Sequence, residues 1–193
     1  MWLLESERMI FRPHEMADFD DFCAIEADAE VRRYVGGAPR TREGAERKFR
    51  EVQLKPIEAG LGLMATIFKA DEKYIGYCGL YPNFDAAGGK TEGEAVLGFT
   101  LARSYWGLGL ATEAGDVFVR FGFGQLGLSR IVSVVEVGNL ASLRVLEKLG
   151  FVVVAAEKTG ARSFYKLELK RAEPPERPSS ERPPTVLYRV DGE

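Results

Sequence analysis

Apolar positions recur along this chain with two different periods, and their alternation predicts short strands interleaved with amphipathic helices. Residues 4–12 read as a first strand, closed by Pro13, which has no N–H to give to a ladder. Met16, Phe19, Phe22 and Cys23 then fall at three- and four-residue steps, the face of a helix from Met16 to Ile25. Gly36-Gly37-Ala38-Pro39 breaks the next segment. Thr41 is placed to cap a second helix reaching about Ala59, with Ala45, Phe49, Val52 and Ile57 inward and Pro56 kinking or ending it. Two strands follow at about 61–69 and 74–81, and Ala70-Asp71-Glu72-Lys73 between them has the spacing of a hairpin.

A glycine-rich connection, Ala86 to Gly93, leads to a fourth strand from Glu94 to Leu101. A third helix starts near Leu110 and runs to about Gln125. Ile131 to Val137 is nearly continuous apolar, the pattern of a strand covered on both faces. Asn139 opens a helix whose Leu143, Leu146 and Leu149 point one way, with Gly150 where a left-handed residue ends it. Phe151 to Ala156 reads as another strand. Residues 171–184 hold Pro174, Pro175, Pro178, Pro183 and Pro184 among Glu, Arg and Ser, too polar and stiff for a core, and predict a surface loop. Thr185 to Val190 then returns as a strand. No internal repeat is visible. The expected class is a mixed α/β (α+β) domain with hairpins in its sheet.

Composition narrows the function classes. The 193 residues suit one domain, taken as 1–193. Twenty-six Lys and Arg against 29 Asp and Glu give a net charge of −3, which disfavours a nucleic-acid partner. A single histidine, His14, rules out a histidine-cluster metal site, and Cys23 and Cys78 lie too far apart for a CxxC motif. The N-terminus MWLLESERMIF lacks a signal-length apolar run, and no stretch approaches the ~18 apolar residues of a membrane span, so a cytoplasmic protein with no membrane partner is expected.

The segment Glu94 to Thr112, EAVLGFTLARSYWGLGLAT, passes from a strand through Gly107 and Gly109 straight into a helix. Glycines there leave backbone N–H groups unobstructed, and the helix N-terminus adds partial positive charge, so the turn can cradle a pyrophosphate without a lysine. The helix dipole supplies only about 0.3–1 kcal/mol per exposed anionic contact, so several aligned amides must do the rest. A Walker loop, GxxxxGK followed by Ser or Thr, is absent. A Rossmann GxGxxG would need glycine where Thr112 stands, and a hairpin precedes this strand where that fold has none. An ordinary glycine turn is the remaining alternative.

One strand further on lies Asn139-Leu-Ala-Ser142-Leu-Arg-Val-Leu-Glu-Lys148-Leu-Gly150-Phe151. Together with Trp106-Gly-Leu-Gly-Leu-Ala111 and Arg8-Met-Ile-Phe-Arg12-Pro13, it makes the chain resemble the GNAT N-acetyltransferase superfamily from about Leu4 to Val190. The branch it looks like is that of the ribosomal-protein N-terminal acetyltransferases (RimJ/RimL-like). The resemblance implies the acyl-CoA N-acyltransferase fold, a central mixed, mostly antiparallel sheet of about seven strands flanked by about four helices. It also implies acetyl-CoA as cosubstrate, no metal, and an amine acceptor, either a small molecule or a protein N-terminus. A homodimer stays open.

The family's pyrophosphate motif falls on Trp106, Gly107, Leu108, Gly109, Leu110 and Ala111, with Thr112 closing the segment. Gly109 and Ala111 match, while Trp106 stands where the family has a basic or amide residue. Phe99, Thr100 and Leu101 fall on the strand backbone that the family pairs with the pantetheine arm, and Asn139 on the asparagine that reaches it from the other side. Arg144 and Lys148 are candidates for a nucleotide phosphate, with a solvated helix face as the alternative.

The catalytic groups match less closely. The family's tyrosine acid falls on Leu146, and Ser142 is the branch's substitute, placed to return a proton to the leaving thiolate; a first-turn serine bonded to backbone is the alternative. The branch's strand glutamate falls on Val96. Glu94, two residues earlier on the same face, and Glu136 at the end of the next strand are the candidate bases, each with a solvated strand-end carboxylate as its alternative. Freeing a peptide α-amine near pKa 8 costs about 1.4 kcal/mol at pH 7 and a lysine near 10.4 about 4.6 kcal/mol. A missing glutamate therefore slightly favours an α-amine acceptor. Cys78 is expected in the core and His14 on the surface.

Two further readings remain: an acyl-CoA-binding or regulatory module with little turnover, motivated by Val96 and Leu146, and a binder of another nucleotide such as NAD or ATP. Residues 32–39 and the excursion 157–184 are the expected walls of the acceptor site.

Overall fold

The computed structural model describes residues 3–171. Strands β1 (Leu4–Glu5) and β2 (Met9–Arg12) lead through a 3-10 turn at Met16–Asp18 into α1 (Phe19–Ala27) and α2 (Ala29–Arg32). Asp28 caps α2 by accepting from Glu30 N and Val31 N, and Thr41 caps α3 (Arg42–Lys48) by accepting from Gly44 N. A π-turn at Phe49–Gln53 ends α3 before Pro56, short of the Ala59 expected. Then come β3 (Gly62–Phe68), β4 (Lys73–Phe84), β5 (Lys90–Leu101), α4 (Leu110–Gly124), β6 (Arg130–Glu136), α5 (Leu140–Lys148), β7 (Val152–Thr159) and β8 (Arg162–Lys170).

The eight strands form one open sheet in the order β1-β2-β3-β4-β5-β6-β8-β7, antiparallel except where β6 lies parallel to β5. Helix α4 turns Leu110, Ala114, Val117, Phe118 and Phe121 onto one sheet face, and Phe118 meets Phe11 edge-on at 5.1 Å. Leu146 of α5 and Leu167 of β8 complete that core. On the opposite face Phe22 of α1 and Phe49 stack around Tyr74 and Tyr77. Alternation lets β4 serve both cores, and a register shift opposite Thr66 and Ile67 changes its parity. Ile75, Cys78 and Leu80 therefore face α4, and Tyr74 and Tyr77 face α1.

The mixed α/β fold is as expected, with eight strands and five α-helices among the described residues. Several element bounds differ: residues 4–12 fold as a tight hairpin, and residues 157–170 complete β7 and add β8. Tyr165, Leu167 and Leu169 carry the period-two signal of β8 in the sequence. β5 begins at Lys90, since hairpin pairing of Phe84 with Lys90 overrides the polar, glycine-rich composition there. β6 is not covered on both faces: Val134 is exposed. The strand expected at Thr185–Val190 and most of the loop at 171–184 lie outside the described residues.

His14 is likewise inside the protein. It is 7% exposed, its Nε2 lies 3.3 Å from the Tyr74 hydroxyl, and its ring packs against Phe49 and Tyr77. Burial pulls its pKa down to about 4. The unfolded chain therefore binds the histidine proton more readily, and stability falls as pH drops from about 6.5 to about 4. Across that window the fold should lose about 3 kcal/mol that a His14→Phe variant retains. Denaturant unfolding at pH 7 and pH 4.5 checks it; with one histidine in the chain, identical losses in both proteins would remove His14 as the cause.

Candidate active site

β5 and β6 share ladder partners only from Glu94–Arg130 to Val96–Val132. One further tie, Ser133 Oγ to the Leu97 carbonyl at 3.0 Å, closes the joint, and beyond it the strands part. Alternation settles which groups face the opening. Gly93 O and Leu97 O bond toward β6, and Ala102 N bonds to Ile75 O on the β4 side. By the same alternation the main chain of Phe99 and Leu101 points into the gap, and that of Thr100 points to β4. Leu101 O is taken by Trp106 Nε1 at 2.8 Å. Phe99 presents its N–H and C=O to the gap.

Two cavities of about 1110 and 510 Å³ meet at this opening. Tyr34, Val35, Phe99, Thr100, Asn139 and Ser142 lie on both walls, so the two form one cleft through the sheet. The smaller lobe is floored by Trp106, Gly107, Gly109, Leu110, Ala111 and Thr112 and flanked by Arg144 and Lys148. Gly107 and Gly109 adopt φ of 75° and 78°, and a Cβ at Gly107 would meet nothing within 4 Å, so the backbone there is bare to the cavity. Arg144 and Lys148 are exposed and carry no ion pair among the described residues. Leu108 does not join this wall; its side chain is exposed.

What holds the loop was not anticipated. Arg8 Nη1 donates to Leu108 O at 3.0 Å, while its Nε and backbone N both donate to the Glu113 carboxylate at 2.7 and 2.9 Å. Burial opposes Glu113 ionisation, but bonds from Ser6 and Arg8 keep its pKa below the usual value. The β1–β2 turn thus clamps the first turn of α4 through a residue 105 positions away, a contact no local pattern reveals.

The expected catalytic residues separate. Ser142 faces both lobes, and its backbone N donates to Asn139 Oδ1 at 3.2 Å, so Asn139 caps α5. The Ser142 hydroxyl has no partner among the described residues. Glu94 is outside the cleft: Arg130 Nη2 lies 2.5 Å from one carboxylate oxygen, and Asn83 Nδ2 donates to the other at 2.9 Å. Arg130 sits opposite Glu94 on β6, and that pairing is why the expected base is closed. Glu136 does reach the larger lobe, but Arg162 of β8 grips both its oxygens and holds its carboxyl below the usual range. Leu146 and Val96 are buried, and Cys78 is fully buried with its thiol pKa pushed up by burial.

The larger lobe is walled by Tyr34, Tyr81, Phe84 and Lys48, with Val52 and Pro56 from the segment after α3. Of residues 32–39, Tyr34 and Val35 line this lobe. Of the excursion 157–184, the described residues 157–170 do not line it, because they form the β7–β8 hairpin; the rest lies outside the described residues. Behind Lys48 lies a group that sequence reasoning missed. Glu26, fully buried, accepts from Lys48 Nζ at 2.8 Å, from Tyr77 Oη at 3.0 Å and from Arg40 Nε at 2.8 Å, with Arg32 Nη1 at 3.2 Å. Burial would raise its pKa, but Lys48, Arg32 and the Tyr77 hydroxyl together hold it low. Lys48 itself titrates below its ordinary value, chiefly through burial.

The cleft is thus a sheet opened between two parallel strands, with a glycine turn and helix start below the gap. The Acetyltransferase (GNAT) domain family matches residues 8–152, and the chain belongs to it. Among curated relatives, the uncharacterized N-acetyltransferase p20 of Bacillus licheniformis is 32% identical over 78% of this chain and 83% of its own length. The uncharacterized N-acetyltransferase YoaA of Bacillus subtilis is 32% identical over 77% and 82%. Among solved structures, a GNAT-family acetyltransferase from Bacillus anthracis has a TM-score of 0.75 at 20% identity, covering 87% of this chain and 98% of its own. A spermidine N-acetyltransferase from Vibrio cholerae, in complex with CoA and spermine, has a TM-score of 0.67 at 17% identity, covering 84% and 95%. These likenesses establish the GNAT fold and an acetyltransferase family.

Removing the clamp should loosen the loop before it harms the fold. Arg8→Ala is expected to cost about 1 kcal/mol of stability, the scale of a partly exposed ion pair. It should also speed amide exchange across residues 107–113 severalfold. Unchanged exchange there would mean the loop holds its shape without Arg8.

Proposed function

We propose that the chain transfers an acetyl group from acetyl-CoA to a primary amine by direct attack in a ternary complex. The donor occupies the smaller lobe and the acceptor the larger. The observation that carries this reading is the meeting of the two lobes at Phe99 and Ser142, where a main-chain N–H and an unpartnered hydroxyl face one gap. The residues suit acetyl-CoA: bare backbone at Gly107 and Gly109 for the pyrophosphate, Arg144 and Lys148 for nucleotide phosphate, and the Phe99 edge for the amide-rich arm. Acetyl-CoA brings the thioester; the protein orients it. Phe99 N–H is placed to stabilise charge on the thioester oxygen, a contact of a kind worth about 3–4 kcal/mol. Ser142 is the proton source for the thiolate.

Neither expected base is free, since Arg130 holds Glu94 outside the cleft and Arg162 holds Glu136; Glu58, on the wall of the larger lobe, is the carboxylate there without an ion pair among the described residues. With both expected glutamates closed, proton removal by solvent suits an acceptor whose amine is readily freed, such as an α-amine. Peptide N-termini, the acceptors of the ribosomal-protein branch, are therefore the first to screen. The same shortage of a base supports the second reading, a module on this fold that binds acyl-CoA and turns it over weakly.

Calorimetric titration with acetyl-CoA, with NAD and ATP alongside, tests the reading. Binding of acetyl-CoA alone is expected, with a melting shift of roughly 5–11 °C at a hundredfold excess over Kd. Absence of binding sinks both readings. Gly109→Val, which forces a β-branched side chain into a left-handed turn, should weaken acetyl-CoA affinity at least tenfold; wild-type affinity would remove the loop from the site. Ser142→Ala should lower kcat about 100-fold with little change in acetyl-CoA affinity, and full turnover would show that another group supplies the proton.

A further inference from the structure

We propose that the acceptor in the larger lobe carries an anionic group, a carboxylate or its equivalent, near its reactive amine, and that Lys48 receives it. The proposal rests on the acetyl-transfer reading above and adds the acceptor's charge class.

Glu26 is one carboxylate facing three cations, Lys48, Arg32 and Arg40. None of the three is bonded to a second carboxylate among the described residues. Arg32 is buried and Lys48 largely so, while Arg40 is a third exposed, so water screens this surplus of positive charge only in part. A counter-charge would be favourable there, and the cavity is where one can arrive. Lys48 is the cation of this group that lines the cavity, and two of its three N–H donors are taken, by Glu26 and Tyr77. The third is available to a ligand.

Position follows from the strand register. Tyr77 pairs with Thr100 across β4 and β5, so the two side chains are neighbours on one sheet face. Thr100 stands at the junction of the two lobes, and Lys48 donates to the hydroxyl of that neighbour, Tyr77. An anion seated on Lys48 is then close to the amine at the gap. The rest of the wall agrees. Lys55 and Lys90 line the lobe with Lys48 against one unpaired carboxylate, Glu58, and Glu136 is closed by Arg162, so a polycation finds no open carboxylate cluster among the described residues. The chain as a whole carries −3, and its cleft is locally of the opposite sign. Tyr34, Tyr81 and Phe84 supply an apolar surface for the remainder of such an acceptor.

Two product-like probes differing in one charge test this: N-acetylphenylalanine and N-acetylphenylalaninamide, titrated calorimetrically into protein saturated with CoA. The carboxylate is expected to bind at least tenfold tighter. Lys48→Gln should shrink the gap below threefold, and Lys48→Arg should keep it. Equal affinities, a tighter amide, no binding of either probe to the CoA-loaded protein, or an undiminished gap in Lys48→Gln would overturn the proposal. If Lys48→Gln does not fold, the wild-type comparison and Lys48→Arg decide. Faster acetylation of spermidine than of phenylalanine would also overturn it. Failure of CoA itself to bind would instead bring down the acetyl-transfer reading on which the proposal stands.

Discussion

A main-chain group that leaves its ladder must find another partner or water, and between β5 and β6 that requirement falls in the middle of a sheet. The strands are parallel and share three ladder positions and the Ser133 tie before diverging. Had they stayed paired to their ends, Phe99 and Leu101 would be satisfied and the sheet closed. Because they part, Phe99 offers both main-chain groups to whatever enters, and the two lobes meet at the gap. The chain takes care of the other exposed carbonyl itself, through Trp106. The tryptophan that departs from the family's basic or amide residue thus stitches the end of β5 to the glycine loop while also lining the smaller lobe.

The opening requires rigid surroundings, and the structure supplies them by long-range polar ties. Arg8 fixes the glycine loop from the N-terminal hairpin, Arg130 bonds Glu94 and Glu168 across three strands, and Arg162 bonds Glu136 across β6 and β8. Each arginine joins segments far apart in sequence, and its planar fork suits paired carboxylate oxygens. On the far face, Glu26 does the same among α1, α2, α3 and β4. A carboxylate placed on the buried side of an amphipathic helix looks like an error in patterning until its four partners are seen.

What was legible in the sequence was local. Thr41 and Asn139 as caps, Gly150 with φ of 89° after α5, and the Gly107–Gly109 turn before α4 are each set within a few residues, and the structure has them as read. What was not legible depends on partners distant in the chain. His14 reads as a residue at a strand exit and is buried by Phe49, Tyr74 and Tyr77. Glu94 reads as a base and is closed by Arg130. The insertion of β8 between β6 and β7 is a matter of sheet order, which period-two alternation in 162–170 cannot specify. The glycine lobe was therefore readable as a unit, and the larger lobe, assembled from segments distant in sequence, was not.

The closure of both expected glutamates bears on the chemistry proposed for the cleft. On that reading an acceptor amine must lose a proton to attack, and neither Glu94 nor Glu136 is free to take it. Freeing a peptide α-amine at pH 7 costs ~1.4 kcal/mol, against ~4.6 kcal/mol for a lysine, so solvent is an adequate proton sink for the first and a poor one for the second. An anion seated on Lys48 would cancel the lysine's charge as the neighbouring amine feels it, so Lys48 would sort acceptors by charge and leave their basicity unaltered. Basicity would then be sorted by how far each amine depends on a base, and Glu58, on the wall of the larger lobe, is the carboxylate there without an ion pair among the described residues.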